Sequence, residues 1–357
     1  MTATILALVT DAFGGRGGIA QYNRDFLSAL ASAGYRVALL PRHAPDHVAP
    51  PPGIKQHPAR SGRIAYSLAA LQIACRVRPR VVFCGHLYMA PLAWLAARLA
   101  DAELVIQVHG IEAWQRPSAL VRWTSERASL ILSVSRYTRM RVLDWAAITP
   151  ERVVILPNTV ADFFVPGDGS ALRQELGLND KRVLLTVGRM NTRERYKGHD
   201  RVIGCLRDLV ERGFDIAYVI VGEGDDRTRL AMLAKKAGVA ERVMFLGPVG
   251  RDRLREAYRM ADVFVMPSTG EGFGIAFLEA MACGTPAVGL ANGGSSDALG
   301  DGSLGDTVTE GQLSERLALH LASRGSTADV LSAAVATRFG RPAFIGRARA
   351  LVRPLAV

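Results

Sequence analysis

Two glutamates bracket a glycine-rich turn in the stretch STGEGFGIAFLEAMACGTPAV, residues 268–288. Glu271 precedes an apolar helical pattern that starts near Ile275, and Glu279 falls in its second turn. A carboxylate accepts hydrogen bonds from neighbouring hydroxyls, and the free N–H groups of a helix N-terminus bind an anion. The backbone that faces the anion would come from Gly272, Phe273, Gly274 and Ile275. The stretch therefore predicts a ligand with hydroxyls at both ends and an anion between them.

A nucleotide sugar has this chemistry, because a diphosphate joins its hexose to its ribose. Arg189 leaves the strand pattern RVLLTVGR, and Lys197 follows after a polar loop, just before another helix. An arginine fork and a compact ammonium group can together neutralise a diphosphate. We expect both at the site, whereas Arg193 and Arg195 fit a solvated basic loop.

A second glycine loop, DAFGGRGG, follows the first strand pattern and leads into a helix, with Gly17 and Gly18 at its end. Such a loop either approaches a phosphate or makes a tight turn between strand and helix. A dinucleotide fold would place an acidic residue after the second strand. That strand instead runs into LLPRH, residues 39–43, which argues against an NAD oxidoreductase.

His109 follows the fourth apolar strand pattern, in QVHGIEAW. A histidine at the carboxyl end of a strand can exchange a proton or orient a hydroxyl. The alternative is a loop histidine that is held by backbone groups.

Short β-branched runs separated by helical patterns must position these residues. Eleven candidate strands span residues 4–10, 36–41, 80–85, 103–110, 130–135, 152–157, 182–189, 217–224, 243–249, 262–268 and 286–290. Apolar strands alternating with helices predict buried parallel sheets, whose ligands bind at the carboxyl ends of the strands. The series breaks at residues 158–181, so we predict two Rossmann-like domains facing across a cleft. The predicted domains are residues 1–165 and 166–339, with a helix at about 340–357 that returns to the first.

Charge is concentrated in the first half of the chain. Residues 1–160 carry 18 Lys and Arg against 9 Asp and Glu, whereas residues 161–357 carry 26 against 24. The apolar run IAYSLAALQIACRV is flanked by arginines, which predicts either a core helix with solvated ends or an anionic membrane surface as partner. Nucleic acid is disfavoured because the basic residues are not interleaved with aromatics. Four scattered cysteines predict a reducing, cytoplasmic location without a structural metal.

The chain resembles the GT-B glycosyltransferases, and specifically glycosyltransferase family 4. The resemblance rests on GGIAQYNRDFLSAL, VHGIE, LSVSRYTRMRV, ILPNTV, TVGRMNTRERYKGHDRVI, VGEGDDR, FLGPV and EGFGIAFLEAMACGTPAV. Glu271 and Glu279 match the family's E-x7-E pattern. One departure is LANGGSSDALGDG, where many relatives have a glycine followed by Pro-Glu.

The resemblance implies a role for each matching residue. Glu279 would hold the donor ribose and Glu271 the sugar hydroxyls, while Arg189 and Lys197 would bind the diphosphate. Gly17 and Gly18 would close over the phosphates, and His109 would lie beside the donor sugar and the acceptor. The backbone near Pro248 and Val249 would contact the base.

The implied activity is metal-independent, retaining hexosyl transfer from GDP-mannose or a UDP-hexose, without a cofactor. The acceptor would be a glycan or a lipid-linked glycan in envelope or exopolysaccharide biosynthesis, at the inner face of the cytoplasmic membrane if the basic half binds lipid. A nucleotide-sugar epimerase on the same scaffold and a non-catalytic nucleotide-binding module are the alternatives.

Overall fold

The computed structural model describes residues 3–46, 48–323 and 328–356. The chain divides into two compact units. Unit 1 comprises Met1–Thr159 and Arg341–Val357, and unit 2 comprises Val160–Gly340.

Unit 1 is built on a parallel sheet with strand order β3-β2-β1-β4-β5-β6-β7. Its strands are β1 (Thr4–Val9), β2 (Arg36–Pro41), β3 (Ile54–Gln56), β4 (Val81–Cys84), β5 (Glu103–Val108), β6 (Leu130–Ser133) and β7 (Val153–Ile155). Its first helices are α1 (Gly18–Ser32), α2 (Arg63–Val77), α3 (Ala90–Ala100), α4 (Ala119–Ser125) and α5 (Arg136–Trp145). Apolar residues on β1 and β4 are almost fully buried, as expected for strands covered on both faces.

Unit 2 repeats the design with strand order β10-β9-β8-β11-β12-β13, again parallel. Its strands are β8 (Arg182–Val187), β9 (Ile216–Val221), β10 (Val243–Gly247), β11 (Val263–Met266), β12 (Ala287–Leu290) and β13 (Asp306–Val308). Its helices are α6 (Ser170–Glu175), α7 (His199–Glu211), α8 (Arg227–Lys236), α9 (Arg251–Met260), α10 (Ile275–Ala282), α11 (Ser295–Ala298), α12 (Leu313–Ala322) and α13 (Ala328–Phe339).

The predicted fold class, two Rossmann-like parallel-sheet domains, is confirmed. The eleven predicted strands all form, and the structure adds β3 and β13, which sequence reasoning missed. Both are edge strands of three residues with a single apolar residue each, Ile54 and Val308, so neither shows an apolar run.

The last helix, α14 (Arg341–Val352), packs against α1 in unit 1. The Phe344 ring meets the Tyr22 ring edge-on, with 6.0 Å between centroids. A 3₁₀ helix, Arg353–Leu355, follows, and Val357 at the end of the predicted segment lies outside the described residues.

Candidate active site

Glu271 lies in the loop between β11 and α10, and the helix begins at Ile275, as predicted. The residue that caps the helix is Gly274, which has a left-handed φ of +96°. A Cβ atom there would lie 2.5 Å from the Phe277 ring and 3.3 Å from Cγ of Glu271. Glycine therefore lets the Glu271 side chain pack against the backbone at the start of α10.

Lys197 pairs with Glu271 although 74 residues separate them in the chain. The distance from Lys197 Nζ to Glu271 Oε2 is 3.3 Å, and both side chains are mostly buried. The Glu271 carbonyl also accepts a hydrogen bond of 2.7 Å from the Gly294 N–H. The loops that follow β8 and β11 at their carboxyl ends thus bring two of the predicted residues, Lys197 and Glu271, together.

Arg189 follows β8 and has a partner that sequence reasoning missed. Its guanidinium donates to Glu194 Oε1 at 2.5 Å, while the Arg189 side chain stays 73% exposed. Burial, then Glu194 and Glu271, raise the pKa of Tyr196 to about 12, and Arg189 opposes the rise. Tyr196 therefore has charged neighbours from the loop after β8 and from the loop after β11. We call Arg189, Glu194, Lys197 and Glu271 the charge cluster.

Gly198 lies where the loop after β8 packs against the loop after β11. It has a φ of +79°, and a Cβ atom there would lie 2.3 Å from the carbonyl oxygen of Pro267. Beside it, the Tyr196 carbonyl accepts a 2.9 Å hydrogen bond from the Thr269 N–H. The close approach of backbone to backbone leaves no room for a side chain.

Replacement of Gly198 by alanine is expected to lower the free energy of unfolding by about 3 kcal/mol, from backbone strain plus the clash. Gly177→Ala is the matched control, because Gly177 is also left-handed but has no atom within 4 Å of its Cβ position. The control should lose only about 1 kcal/mol. Urea unfolding of both variants provides the measurement, and equal losses would contradict the close-packing argument.

Glu279 is buried inside α10, as predicted, with 8% of its surface exposed. The hydroxyl of Tyr258, on α9, donates to Glu279 Oε2 at 2.8 Å. The Tyr258 backbone carbonyl in turn accepts a 2.6 Å bond from the Thr285 hydroxyl. Burial, reinforced by the neighbouring Glu279 carboxylate, raises the pKa of Tyr258 well above its usual value, so Tyr258 remains a donor at neutral pH. No sequence pattern identified Tyr258, because an aromatic residue on an amphipathic helix is usually only core.

A buried polar chain supports the backbone of Arg189. His199, the first residue of α7, places Nε2 3.4 Å from the Arg189 carbonyl and Nδ1 3.4 Å from the Tyr218 hydroxyl. Tyr218 donates at 2.8 Å to Thr186 on β8. Desolvation by burial lowers the pKa of His199 to about 4. The imidazole is therefore neutral at physiological pH.

The low pKa of His199 makes stability depend on pH. Between pH 6.5 and pH 4 the unfolded chain binds a proton that the folded chain does not, so stability rises with pH in this window. Acidification through it should cost about 3 kcal/mol from this residue. Unfolding free energies of wild type and His199→Gln at pH 7, 6 and 5 provide the measurement, with exposed His43→Gln as control. The free energy of unfolding should depend less steeply on pH in His199→Gln than in the other two proteins. Equal slopes in all three proteins would contradict the assignment of this pH dependence to His199.

The predicted base-contacting residues, Pro248 and Val249, follow β10. The N–H of Gly222, after β9, donates to the Gly247 carbonyl at 2.9 Å, which joins the ends of these strands. Gly222 has a φ of +137°, and a Cβ atom there would lie 2.1 Å from the carbonyl oxygen of Gly188. The loops after β8, β9 and β10 are therefore packed together by backbone contacts.

In unit 1, Gly17 lies between β1 and α1, and Gly18 is the first residue of α1. Gly17 caps the helix with a φ of +88°, and among the described residues no atom beyond its chain neighbours lies within 4 Å of its Cβ position. Gly14, in the same loop, has a φ of +87° and would clash with the Asp46 carbonyl if it carried a Cβ. The loop thus combines a packed turn at Gly14 with open backbone at the helix N-terminus.

His109 follows β5 and is held by a backbone carbonyl on one side and by a carboxylate side chain on the other. Its Nε2 lies 2.9 Å from the Gly85 carbonyl, and its own N–H donates to Glu112 Oε1 at 2.5 Å. Burial lowers the pKa of His109, although Glu112 and the Gly85 carbonyl oppose the shift. Because a carbonyl only accepts, Nε2 carries the proton and Nδ1 of the neutral ring is the acceptor. A second imidazole, His86, lies 6.2 Å away between centroids and was missed by sequence reasoning.

The fold matches that of solved structures of GT-B glycosyltransferases. The structure superposes on Anabaena Alr3699/HepE in complex with UDP and glucose with a TM-score of 0.81, at 20% identity, covering 99% of this chain and 100% of that one. Sucrose-phosphate synthase from Thermosynechococcus elongatus gives a TM-score of 0.79 at 20% identity, over 99% of both chains. The class defined by the fold is the GT-B glycosyltransferases.

Family models and relatives agree with this class. The model for Glycosyltransferase Family 4 matches residues 16–162, and the model for Glycosyl transferases group 1 matches residues 169–334. The chain belongs to the family 4-like GT-B glycosyltransferases that carry these two domains.

Two relatives illustrate the similarity. The chain is 35% identical over 240 residues to the GDP-mannose-dependent alpha-(1-6)-phosphatidylinositol monomannoside mannosyltransferase of Mycolicibacterium smegmatis, covering 62% of this chain and 61% of the relative. It is 39% identical over 155 residues to the D-inositol 3-phosphate glycosyltransferase of Mycobacteroides abscessus, covering 43% and 34%. The chain therefore spans less than two thirds of the length of these curated relatives.

Proposed function

We propose that the protein is a retaining glycosyltransferase that moves a hexose from a nucleotide-diphosphate sugar to a glycan or lipid-linked acceptor. The observation that carries the proposal is the Lys197–Glu271 pair, 3.3 Å apart beside the N-terminus of α10. A cation, a carboxylate and free N–H groups in one place suit a ligand with phosphates next to hydroxyls.

GDP-mannose or a UDP-hexose is the proposed donor. The mannosyltransferase relative is described as GDP-mannose-dependent, and the Anabaena structures hold UDP, glucose or UDP-glucose. In our proposal Glu279 binds the ribose, Glu271 the hexose hydroxyls, and the backbone of Gly272–Ile275 the phosphates. Gly17 and Gly18 add backbone contacts to the phosphates, and the backbone near Pro248 and Val249 contacts the base.

The proposed reaction breaks the bond between the anomeric carbon and the diphosphate while the acceptor oxygen bonds to that carbon on the same face. The acceptor proton passes to the leaving phosphate oxygen, and the developing positive charge resides on the sugar. Arg189, Lys197 and the N-terminus of α10 stabilise the negative charge on the leaving group. Binding donor would therefore draw Lys197 from Glu271 towards the diphosphate and free Glu271 for hydroxyls.

His109 is proposed to contact the donor sugar and the acceptor hydroxyl through the acceptor atom Nδ1. A covalent glycosyl-enzyme on Glu271 is the other route to retention. We favour direct transfer because Glu271 is assigned to hydroxyl binding. A slow donor incubated with the enzyme should leave no adduct on Glu271 by mass spectrometry of the intact protein.

The proposal for the acceptor is based on the positive charge of unit 1. On α2, Ile64 is 78% exposed and Leu68 is 56% exposed, although Tyr66, Ala70 and Ala74 are buried. The helix thus presents apolar and basic residues to solvent, which supports a lipid-linked acceptor at the inner face of a membrane in envelope or exopolysaccharide assembly. In the described ranges, no helix has the length and apolar character of a membrane span. Vesicle binding without preference for anionic lipid would contradict the membrane contact.

Thermal-shift measurements with UDP, GDP, ADP and their sugar conjugates test the function. A ligand that binds the folded state raises Tm by mass action. We expect a shift with one nucleotide series, lost in Glu279→Ala, and sugar transfer to an added acceptor. Conversion of the donor sugar without an acceptor would favour the epimerase, and binding without turnover would favour a nucleotide-binding module.

Treatment with EDTA is expected to leave at least about nine tenths of the transferase activity, because Lys197 and Arg189 supply the charge that a metal would otherwise provide. Initial rates before and after chelation, with and without added Mg²⁺, provide the measurement. Loss of activity on chelation, restored by Mg²⁺, would contradict the metal-independent mechanism.

A further inference from the structure

Unit 1 holds a cavity of about 730 Å³ at the outer edge of its sheet. The cavity is lined by β2, β3, the segment that follows β3, and the C-terminal half of α2. Helix α1 packs against β2 and β3, whereas α2 packs against β1, so one face of the two outer strands is left partly uncovered. A volume of this size is that of an ordinary small-molecule site.

The cavity lies away from the candidate active site of unit 1. It includes Thr4 and Arg36, at the amino ends of β1 and β2, whereas Gly17 and His109 follow the carboxyl ends of β1 and β5. Six strand residues span about 20 Å. The cavity also extends along β2 to Leu40, but Gly17, Gly18 and His109 are not among its lining residues, so it is a different feature from the proposed donor site.

Positive charge dominates the polar lining. Arg36, Lys55, Arg60 and Arg76 all line the cavity, and none of its lining residues is acidic. In residues 3–46, 48–323 and 328–356, none of these four side chains makes an ion pair. Cations gathered without counter-charges repel each other, so an anion bound among them would relieve the repulsion.

His57 lies among these cations. Its Nε2 is buried and has no hydrogen-bond partner in the described part of the chain. Burial, followed by the positive charges of Lys55 and Arg76, lowers the pKa of His57. Lys55 on β3 and Arg76 on α2 both line the cavity and both act on His57, and two such cations can bind a compact anion such as phosphate.

The remaining wall is apolar, and it decides the kind of molecule that carries the anion. Val37, Ala38 and Leu40 come from β2, Ile54 from β3, and Ile73 and Val77 from α2. Water against this surface is unfavourable, and an apolar group would displace it. A purely polar anion such as inorganic phosphate would leave this apolar lining in contact with water.

We propose that this basic cavity binds a phosphate-bearing amphiphile, with its phosphate between Lys55 and Arg76 and its apolar part against Ala38, Leu40 and Ile73. The same chemistry occurs in a phospholipid headgroup region and in a free phosphate ester with an apolar group. The inference does not depend on the proposed transferase activity, because the cavity and the charge cluster are different sites.

Calorimetric titration with hexyl phosphate, hexanol and inorganic phosphate tests the proposal on the full chain. Hexyl phosphate should bind at least tenfold more tightly than either of the other two. The double variant Lys55→Gln/Arg76→Gln should lose about tenfold or more of this affinity, since hydrogen bonds to charged groups are strong. Arg63→Gln, an exposed arginine at the start of α2 outside the cavity, is the matched control and should bind as wild type does.

Vesicles of phosphatidylcholine with and without phosphatidic acid distinguish the two sources. If wild type sediments with the vesicles that contain phosphatidic acid and the double variant does not, the ligand is a lipid. If wild type binds hexyl phosphate but does not sediment with these vesicles, the ligand is a free phosphate ester. Equal affinity for hexyl phosphate and inorganic phosphate, or equal binding by wild type and the double variant, would overturn the proposal. A Tm of the double variant equal to that of wild type, without any ligand, shows that the variant is folded.

Discussion

Replacement of Lys197 by alanine is expected to lower kcat about a hundredfold. Lys197 is mostly buried beside Glu271 at the start of α10, where water screens its charge poorly. Removal of one preorganised group that stabilises a leaving anion typically costs about 3 kcal/mol of transition-state stabilisation. Steady-state kinetics with a saturating acceptor provide the measurement. The KM for donor should rise by a smaller factor than kcat falls, because the diphosphate is already charged in the bound donor and gains further negative charge as the bond breaks.

Two further variants separate catalysis from structural damage at Lys197. Lys181→Ala removes an ammonium group that pairs with Asp215 at 3.4 Å outside the charge cluster, and its kcat should match wild type. Lys197→Ala also leaves the Glu271 carboxylate unpaired, so Lys197→Ala/Glu271→Gln tests whether that uncompensated charge causes the loss. Full turnover by Lys197→Ala would remove Lys197 from the site.

Replacement of Glu279 by glutamine is expected to weaken donor binding between about tenfold and a hundredfold. The buried Glu279 carboxylate accepts from Tyr258 at 2.8 Å, and a charged acceptor forms stronger hydrogen bonds than a neutral amide. A ribose contact is made equally in the bound ground state and the transition state, so KM should rise while kcat changes little. Isothermal titration with the nucleotide identified by thermal shift measures the affinity directly.

The tyrosine that holds Glu279 should show a smaller effect of the same kind. Tyr258→Phe removes one hydrogen bond to a charged group, which predicts about a tenfold loss of donor affinity. Tyr66→Phe is the matched control, because that buried hydroxyl donates to the Leu40 carbonyl in unit 1. If Tyr258 acts through Glu279, the double variant Glu279→Gln/Tyr258→Phe will be no weaker than Glu279→Gln. Additive losses would mean that Tyr258 has a separate role.

The sequence predicted most strands because they are buried on both faces of a sheet, where a run of apolar residues is stable. The eleven predicted runs all became strands, and the glycine-capped start of α10 at Ile275 was also predicted. Local chemistry is sufficient for such features, since a strand period or a helix cap involves residues that are neighbours in the chain. The short edge strands β3 and β13 carry only one apolar residue each, which is too few for that signal.

Which side chains share a site depends on contacts between distant segments. The spacing of Glu271 and Glu279 is visible in the sequence, but their different surroundings are not. Glu271 pairs with Lys197 because β8 and β11 are neighbours in the sheet, and Glu279 meets Tyr258 because α9 packs against α10. Arg189 was predicted beside a phosphate, and the fold gives it Glu194 as its partner within the same loop.

The amino-acid sequence by itself determined the two parallel-sheet domains, the positions of the strand ends and the residue types available there. The tertiary structure decided which of these residues are paired, buried or exposed, and it created the basic cavity between β2, β3 and α2. The physical reason is that hydrophobic periodicity acts over a few residues, whereas a charge or a hydrogen-bond donor acquires its partner only when strands from distant parts of the chain align.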